Sequence, residues 1–218
     1  MGQHILHLIR HGHYHTGHDD PLYGHLTDLG RQQASTLATA FDGFGAHTLW
    51  SSTMPRADET ADIIAGSMPG SRRKRSRLMC ELIPAVPDYE LSKLPGLEKM
   101  DARTRRAAFN INRELREAAE DTWAYETGHE VERGRAKKVF ERLFTPWSRK
   151  QPRHDVVVIH GNLIRYLVCR VIGAPPESWL NMDINHASVT RVVVGEDGAP
   201  QLQSFNETMH IPDELISS

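Results

Sequence analysis

Short aliphatic runs alternate along the chain with amphipathic stretches, and this alternation predicts strands and helices that follow one another. The first run, Ile5–Ile9, is almost wholly aliphatic, and Asp155–Ile159 is rich in β-branched residues. Such runs are typical of parallel strands that are buried on both faces of a sheet. Each is followed within three residues by a histidine and a glycine, at His11-Gly12 and at His160-Gly161.

Helical periodicity follows these strands. Apolar spacing predicts a helix that is capped by Thr27 and ends near Asp42, because a threonine hydroxyl can accept a backbone N–H of the first turn. A strand over Thr48–Ser51 and a helix from Pro55 to about Gly66 come next, since proline is favoured in the first helical turn. A last helix is predicted over Leu163–Ile172. Strand, short turn and helix thus recur along the chain.

The remaining segments complete the predicted fold. Val189–Val194 and Gln201–Phe205 predict two edge strands, and the polar residues after Pro212 predict a frayed tail. Between Pro84 and Trp147 an irregular, proline-rich stretch and two helices, Met100–Ala119 and about Glu130–Trp147, interrupt the strand–helix order. We therefore predict an α/β fold: a three-layer α/β/α sandwich with a mostly parallel central sheet. It forms a single domain over residues 1–218, with a helical cap inserted at about 84–147.

Composition and charge narrow the class of protein. Charged residues make up 25% of the 218 residues and the formal net charge is -2, so any anion site has to be local. The two cysteines are too few for a disulfide framework, which predicts a reducing compartment, the cytoplasm. The chain enters its first strand directly and has no apolar stretch of roughly twenty residues, so we expect neither a targeting segment nor a membrane partner.

A basic run, Arg72–Arg77, is typical of a nuclear-localisation or nucleic-acid patch when it stands alone. Here it follows a helix and precedes a predicted strand that ends at Leu78–Glu81, and no other basic stretch extends it. A solvated connection is the favoured interpretation. We expect no nucleic-acid partner.

Candidate catalytic groups stand at the ends of the predicted strands. Arg10 and His11 follow the first strand, Arg56 enters the helix after the second, and Glu81 and His160 end two others. An arginine fork matches phosphate oxygens bidentately, and a neutral imidazole can attack phosphorus. Since parallel strands present their carboxyl ends at one edge, these groups are expected to meet there. The alternatives are a satisfied strand-end His11 and a solvated Arg56.

A polar loop, His13–Pro21, is dense in histidine but lacks the cysteine or carboxylate offsets of a metal site. We predict that it forms part of the rim of the active site and that no metal or cofactor is required. Tyr14, His15, His186 and Pro84 are candidates for that rim. For each of them, packing or solvent exposure stays open as the alternative.

Four motifs resemble the histidine phosphatase superfamily, in its phosphoglycerate mutase-like branch, and they occur in order over nearly the whole chain. They are Leu8–Gly12, Leu26–Ala34, Ser51–Ala57 and Val158–Asn162. Within that branch, His160–Leu180 is similar to the mitochondrial serine/threonine phosphatases. Their membrane anchor and tryptophan-rich oligomerisation motif have no counterpart in this sequence, so we do not expect membrane attachment or large assemblies.

The resemblance implies a role for each candidate. His11 would be the nucleophile, transiently phosphorylated, and Glu81 would be the proton donor. The phosphate group would be held by Arg10, Arg56, His160 and Asn162, with His160 also counted as catalytic. Neighbouring arginines should lower the proton affinity of His11 and keep it nucleophilic.

The implied function is phosphomonoester hydrolysis through a phosphohistidine intermediate, on phosphoserine and phosphothreonine or on small phosphate esters. A cofactor-dependent mutase is the alternative, but the sequence lacks the longer insertion and proline-rich stretch of true mutases. A binding module with a vestigial site is a third interpretation. The expected partners are a phosphorylated small molecule or a phosphoprotein, and a homodimer is the default assembly.

Overall fold

The computed structural model describes residues 2–15, 24–82, 128–174, 178 and 181–218. The chain divides into two compact units, one formed by Met1–Glu81 with Lys138–Ser218 and the other by Leu82–Lys137. In the second unit the structure describes only Leu82 and the beginning of one helix, so the helix predicted over Met100–Ala119 lies outside the described residues. Within the described part, no helix has the length and apolarity to cross a membrane.

Strands and helices alternate as the hydrophobic pattern predicts. In chain order they are β1 (His4–Arg10), α1 (Asp28–Ala40), β2 (Thr48–Ser52), α2 (Pro55–Ala65), β3 (Arg72–Ser76), α3 (Gly128–Leu143), β4 (Arg153–Ile159), α4 (Gly161–Val171), β5 (Val189–Val194) and β6 (Pro200–Glu207). The Thr27 side chain caps α1 by accepting the N–H of Gly30. The cap of α2 is Met54, whose side chain makes no capping hydrogen bond, and Pro55 opens its first turn.

All six strands form one sheet in the order β3-β2-β4-β1-β5-β6. The first four are parallel, whereas β5 is antiparallel to both of its neighbours. The fold class, a mostly parallel sheet with helices, is confirmed. The prediction that β5 is an edge strand is wrong, because β6 pairs along its outer side.

The register of the two central strands positions the site. Arg10 of β1 pairs with Ile159 of β4. Consequently the next residue of each strand, His11 and His160, emerges at the same level of the carboxyl edge. The His11 N–H donates to the Ile159 carbonyl at 3.0 Å, which extends the strand pairing by one residue.

Helices cover both faces of the sheet. One buried cluster joins sheet residues such as Ile9, Leu49 and Val158 to apolar side chains of α1 and α2. Helix α4 contacts β1 and β6. Its buried leucines, Leu163 and Leu167, do not belong to that cluster, so α4 covers the other face of the sheet. Since successive residues of a strand point to opposite faces, the central strands are buried on both sides, as their aliphatic runs predict.

The basic run is a strand rather than a solvated connection. It forms β3 at one edge of the sheet, where Arg73 Nη2 lies 2.6 Å from Asp58 Oδ1 and Arg75 Nε lies 2.8 Å from the same oxygen. Asp62 of the same helix contacts both arginines. The arginines therefore dock β3 onto α2, and charged residues are well tolerated on an edge strand.

Two further segment predictions are wrong. The strand predicted to end over Leu78–Glu81 is replaced by a single helical turn, Arg77–Met79, that closes β3. The segment after Pro212 is not frayed, because Asp213–Leu215 forms another turn and the Leu215 carbonyl accepts a hydrogen bond from Gln33 at 2.7 Å. Both turns are held by contacts with distant parts of the chain, which local pattern does not encode.

Candidate active site

Four of the predicted pocket residues meet at the carboxyl edge of the sheet. Arg10 ends β1 and His11 follows it, His160 follows β4, and Arg56 is the second residue of α2. The His11 and His160 ring centroids are 5.0 Å apart. Arg56 Nε donates to His11 Nε2 at 3.0 Å. The structure thus gathers two imidazoles and two guanidinium groups from separate parts of the chain.

The His11 ring is held in one tautomer. Its Nδ1 lies 2.8 Å from the Gly12 carbonyl oxygen, which can only accept, so Nδ1 carries the proton. The lone pair is therefore on Nε2, on the side of Arg56. His11 is 2% exposed. Burial, followed by the charges of Arg56, His160 and Arg10, holds the pKa of His11 well below its usual value, so the ring is neutral.

A close backbone approach shapes the turn after His11. A Cβ built on Gly12 would lie 2.5 Å from the Gly30 carbonyl oxygen, a distance that real side chains do not tolerate. The Gly12 N–H donates to Thr60 Oγ1 of α2 at 3.1 Å. The glycine therefore allows the turn to lie directly against the beginning of α1 while Thr60 holds it.

Arg10 is anchored on the side of the sheet where β5 begins. Its guanidinium donates to the Ile184 carbonyl, and its Nη2 lies 2.9 Å from His186 Nε2. A Cβ on Gly161 would come within 3.3 Å of Arg10 Nε, so the glycine leaves room for this side chain. Burial lowers the pKa of Arg10, an effect that nearby Glu81 opposes. An arginine nonetheless stays charged in a protein.

Tyr14 is the rim residue closest to the four pocket residues. Its ring lies under the Arg56 guanidinium, with 4.4 Å between Cζ and the ring centroid, and its centroid is 5.1 Å from that of His11. His186 is 3% exposed, and its ring centroid is 5.7 Å from that of His11. His15 is exposed, and Pro84 lies outside the described residues.

Glu81 and Asn162 lie at the entrance of α4. Glu81 Oε1 accepts the backbone N–H of Leu163 at 3.3 Å. Burial lowers the pKa of both pocket arginines, and the charge of Glu81 opposes that lowering, which places the carboxylate within electrostatic reach of them. Asn162 Oδ1 accepts a hydrogen bond from Arg165, so the amide is oriented by its own helix.

Sequence reasoning missed three polar residues that support the site: Thr60, Gln33 and Ser217. Thr60 and Gln33 are fully buried on the apolar faces of α2 and α1. A polar residue on such a face is the signal that could have identified them, since buried polar groups require partners. Ser217 carries no comparable signal, because it lies in a polar segment.

The histidine-rich loop is described as far as His15. His13 Nδ1 lies 2.8 Å from Thr27 Oγ1, and the His13 ring centroid is 5.3 Å from that of His186. Among the described residues, no three histidine, cysteine, aspartate or glutamate side chains are grouped as metal ligands. The rest of the loop, residues 16–21, lies outside the described part of the chain.

The family model of the histidine phosphatase superfamily (branch 1) matches residues 6–208. The chain belongs to this superfamily. The mitochondrial serine/threonine-protein phosphatase Pgam5 of Caenorhabditis briggsae is 31% identical over 96% of this chain and 65% of its own length. Human PGAM5 is 29% identical over 99% and 66%, respectively. The resemblance seen in the motifs is confirmed, and the chain spans about two thirds of the length of these relatives.

Solved structures of this superfamily share the fold. Phosphoserine phosphatase from Entamoeba histolytica, solved with 3-phosphoglyceric acid, superimposes with a TM-score of 0.63 at 23% identity, covering 95% of this chain and 99% of that one. The mycobacterial glucosyl-3-phosphoglycerate phosphatase gives a TM-score of 0.64 at 21% identity, covering 94% and 100%. At these identities the likeness concerns the fold alone.

The prediction of a cytoplasmic location is wrong. The relatives from Caenorhabditis briggsae, mouse and human are all named mitochondrial. The prediction rested on Cys80 and Cys169, neither of which forms a disulfide in the structure. Free cysteines separate reducing from oxidising compartments, but they do not distinguish one reducing compartment from another.

Proposed function

We propose that this protein hydrolyses phosphate monoesters through a phosphohistidine formed on His11. The observation that carries the proposal is the state of His11: a neutral ring whose Nε2 lone pair lies beside Arg56, with Nδ1 tied to the Gly12 carbonyl. An unprotonated imidazole nitrogen next to fixed cations can attack a phosphoryl group whose charge those cations stabilise.

In the first step, His11 Nε2 forms a bond to phosphorus as the ester P–O bond breaks. Arg10 and Arg56 stabilise the phosphoryl oxygens, and the N–H of Arg56 that now contacts Nε2 is free to turn to an oxygen once phosphorus occupies that nitrogen. The leaving oxygen takes a proton from Glu81. Because a loose phosphoryl transition state needs little covalent assistance, the placement of charge supplies most of the rate.

In the second step, water attacks phosphorus and the P–N bond breaks. Glu81, now a carboxylate, takes the proton from the water, and the His11 lone pair is regenerated. Inorganic phosphate leaves with the fourth oxygen from water. One carboxyl group thus serves first as the acid and then as the base. The electrostatic interaction of Glu81 with both pocket arginines supports this role, because those arginines hold the phosphoryl group in the proposed reaction.

Phosphoserine, phosphothreonine or small alkyl phosphates are the proposed substrates. Support comes from the relatives, which are named serine/threonine phosphatases, and from Glu81, since an alkoxide leaving group requires a proton. The cap predicted at about 84–147 lies largely outside the described residues.

A p-nitrophenyl phosphate assay of the wild type against His11→Ala tests the chemistry. We expect wild-type turnover, an acid-labile phosphoenzyme in a rapid quench, and loss of both in the variant. Activity that survives in His11→Ala would refute the phosphohistidine. Incubation with 3-phosphoglycerate and 2,3-bisphosphoglycerate separates the mutase alternative, which would yield 2-phosphoglycerate without free phosphate.

The assembly we propose is a homodimer, with no nucleic-acid partner. Two-fold dimers are the commonest assembly of soluble enzymes. Arg73 and Arg75 of β3 are paired with Asp58 and Asp62, which argues against a nucleic-acid surface at that edge. Light scattering at two protein concentrations tests the dimer, and a monomer at both would refute it.

A further inference from the structure

The segment Ile211–Ser217, which we call the tail segment, runs from the end of β6 back to the phosphate pocket. Ile211 is 4% exposed and belongs to the buried cluster under α1 and α2, and Leu215 packs against the same cluster. Just before the segment, His210 Nε2 lies 2.9 Å from the Ala187 carbonyl oxygen. These contacts fix the tail segment beside the turn that carries His186 and precedes β5.

Ser217 contacts His186 through two groups. Its carbonyl oxygen accepts the His186 N–H at 2.8 Å, and its Oγ lies 3.1 Å from His186 Nδ1. Gln33 Nε2 donates to the same hydroxyl oxygen at 2.9 Å, while Gln33 Oε1 accepts the N–H of His13 at 2.8 Å. The hydroxyl therefore lies between the helix that supports the turn after His11 and the imidazole that contacts Arg10.

Hydrogen-bond donors and acceptors fix the direction of this chain of contacts. A guanidinium group only donates, so Arg10 Nη2 donates to His186 Nε2 at 2.9 Å. Burial, together with the charges of Arg10 and His13, lowers the pKa of His186 to about 3, so the ring is neutral. Its single proton is then on Nδ1, which donates to Ser217 Oγ.

We propose that Ser217 is a positioning residue of the phosphate site, which sets the orientation of Arg10 through His186. This rests on the proposed function, in which Arg10 binds the phosphoryl group. Without the hydroxyl, the His186 ring loses the acceptor that keeps its proton on Nδ1. The ring can then turn or change tautomer, and Arg10 loses a partner that holds its Nη2.

The size of the effect is limited because Arg10 also donates to the Ile184 carbonyl. Loss of one neutral hydrogen bond corresponds to about a fivefold change in an equilibrium constant. We therefore expect Ser217→Ala to weaken the binding of inorganic phosphate, measured by calorimetry, by about fivefold, and to raise the KM for p-nitrophenyl phosphate by a similar factor.

Two matched variants accompany Ser217→Ala. Ser218→Ala removes a hydroxyl from the neighbouring exposed residue and should leave Kd and KM unchanged. Ser217→Thr keeps the hydroxyl and should restore both constants to within about twofold of the wild type. If Ser217→Ala behaves like Ser218→Ala, or if it lowers the melting temperature without changing the Kd for phosphate, the proposal is overturned.

A double-mutant cycle tests the route. If Ser217 acts through His186, Ser217→Ala should have no further effect on the phosphate Kd in a His186→Ala background. Additive effects would overturn the proposal. The binding of inorganic phosphate can be measured without turnover. A wild type that binds inorganic phosphate but does not hydrolyse phosphate monoesters would therefore refute the phosphatase function, and the positioning role of Ser217 could still be measured.

Discussion

At His11, three surroundings act on one ring. The Gly12 carbonyl holds the proton on Nδ1, Arg56 contacts Nε2, and burial disfavours the charged form. The ring therefore keeps its nucleophilic lone pair in acidic solution, where an ordinary histidine would be protonated. Protonation of His11 should consequently not be the event that reduces activity at low pH. Glu81 is expected to determine how strongly the rate depends on the leaving group of the substrate.

Replacement of Glu81 should separate substrates by their leaving group. Alkyl phosphates such as phosphoserine need the donated proton, whereas p-nitrophenolate leaves without it. We expect Glu81→Gln to reduce kcat for phosphoserine by about 10²-fold and kcat for p-nitrophenyl phosphate by only a few-fold. The wild type should also show an acid-leaning optimum for the alkyl substrate, since Glu81 has to carry a proton at the start of the cycle.

The control is Glu196→Gln, which neutralises an exposed carboxylate in the turn between β5 and β6 and should change neither rate. Equal losses on both substrates in Glu81→Gln would remove Glu81 from the donor role.

Replacement of Arg56 should test the need for a guanidinium group. Its Nε contacts His11 while its guanidinium group lies over Tyr14, and a lysine ammonium lacks the planar fork that makes both contacts at once. We expect Arg56→Lys to lower kcat/KM for p-nitrophenyl phosphate by about 10²-fold. Arg31→Lys, which changes an arginine of α1 that pairs with Glu59 of α2, is the matched control. An Arg56→Lys enzyme that keeps more than about a tenth of the activity would contradict this role.

Among the elements, β1 and α1 are joined by a backbone contact at the site. A Cβ on Gly12 would meet the Gly30 carbonyl at 2.5 Å, and a Cβ on Gly30 would meet the His13 carbonyl at 2.0 Å. Two glycines, one from the strand exit and one from the first turn of the helix, thus allow the two elements to touch. The distance between the end of β1 and the first turn of α1 determines where His11 lies relative to α2.

Gly12→Ala should therefore affect stability and activity together. The methyl group has to displace backbone, which costs about 1–3 kcal/mol in a packed region, and the displacement moves the turn that carries His11. We expect a lower melting temperature in differential scanning fluorimetry and a lower kcat. Gly45→Ala is the control, since a Cβ there meets nothing within 4 Å. Full activity in Gly12→Ala would show that the contact does not position His11.

The whole molecule buries several histidines in the neutral form. Besides His11 and His186, His7 is 6% exposed beneath Phe41 and Phe44, and its Nε2 lies 3.2 Å from His154 Nδ1. Burial and the neighbouring charges lower the pKa of His7 to about 3. Each such ring stabilises the unfolded chain relative to the folded protein once the solution is acidic enough to protonate the ring in the unfolded chain.

Stability should accordingly fall with acid. Between pH about 6.5 and about 3 the unfolded chain binds a proton at His7 that the folded protein does not, so the free energy of unfolding decreases as the pH falls. One such group contributes a slope of about 1.4 kcal/mol per pH unit. Urea denaturation at several pH values should show a smaller slope for His7→Gln than for the wild type. His25→Gln, at a ring that is 71% exposed, should keep the wild-type slope.

The segments that are predictable are those whose pattern is local. The aliphatic runs of β1 and β4 and the helical periodicity of α1, α2 and α4 match the structure to within a few residues. The arginine-rich β3 was missed, because it is a strand only through its pairing with β2 and its ion pairs with Asp58 and Asp62. The tail segment was missed for the same reason, since its partner Gln33 lies far away in the sequence.

The sequence by itself determined that Arg10, His11, Arg56 and His160 stand at the ends of strands and the beginnings of helices. Strand and helix signals depend on neighbouring residues, and parallel strands bring their ends to one edge. Only the tertiary structure decided which nitrogen of His11 carries the proton and how Arg10 is held, through contacts such as that between His186 and Ser217. The contacts of Arg10 and His186 join residues that are far apart in the chain, so they exist only once the fold has brought those residues together. The contact between His11 Nδ1 and the Gly12 carbonyl joins neighbours, and its geometry depends on the conformation of the turn that the fold imposes.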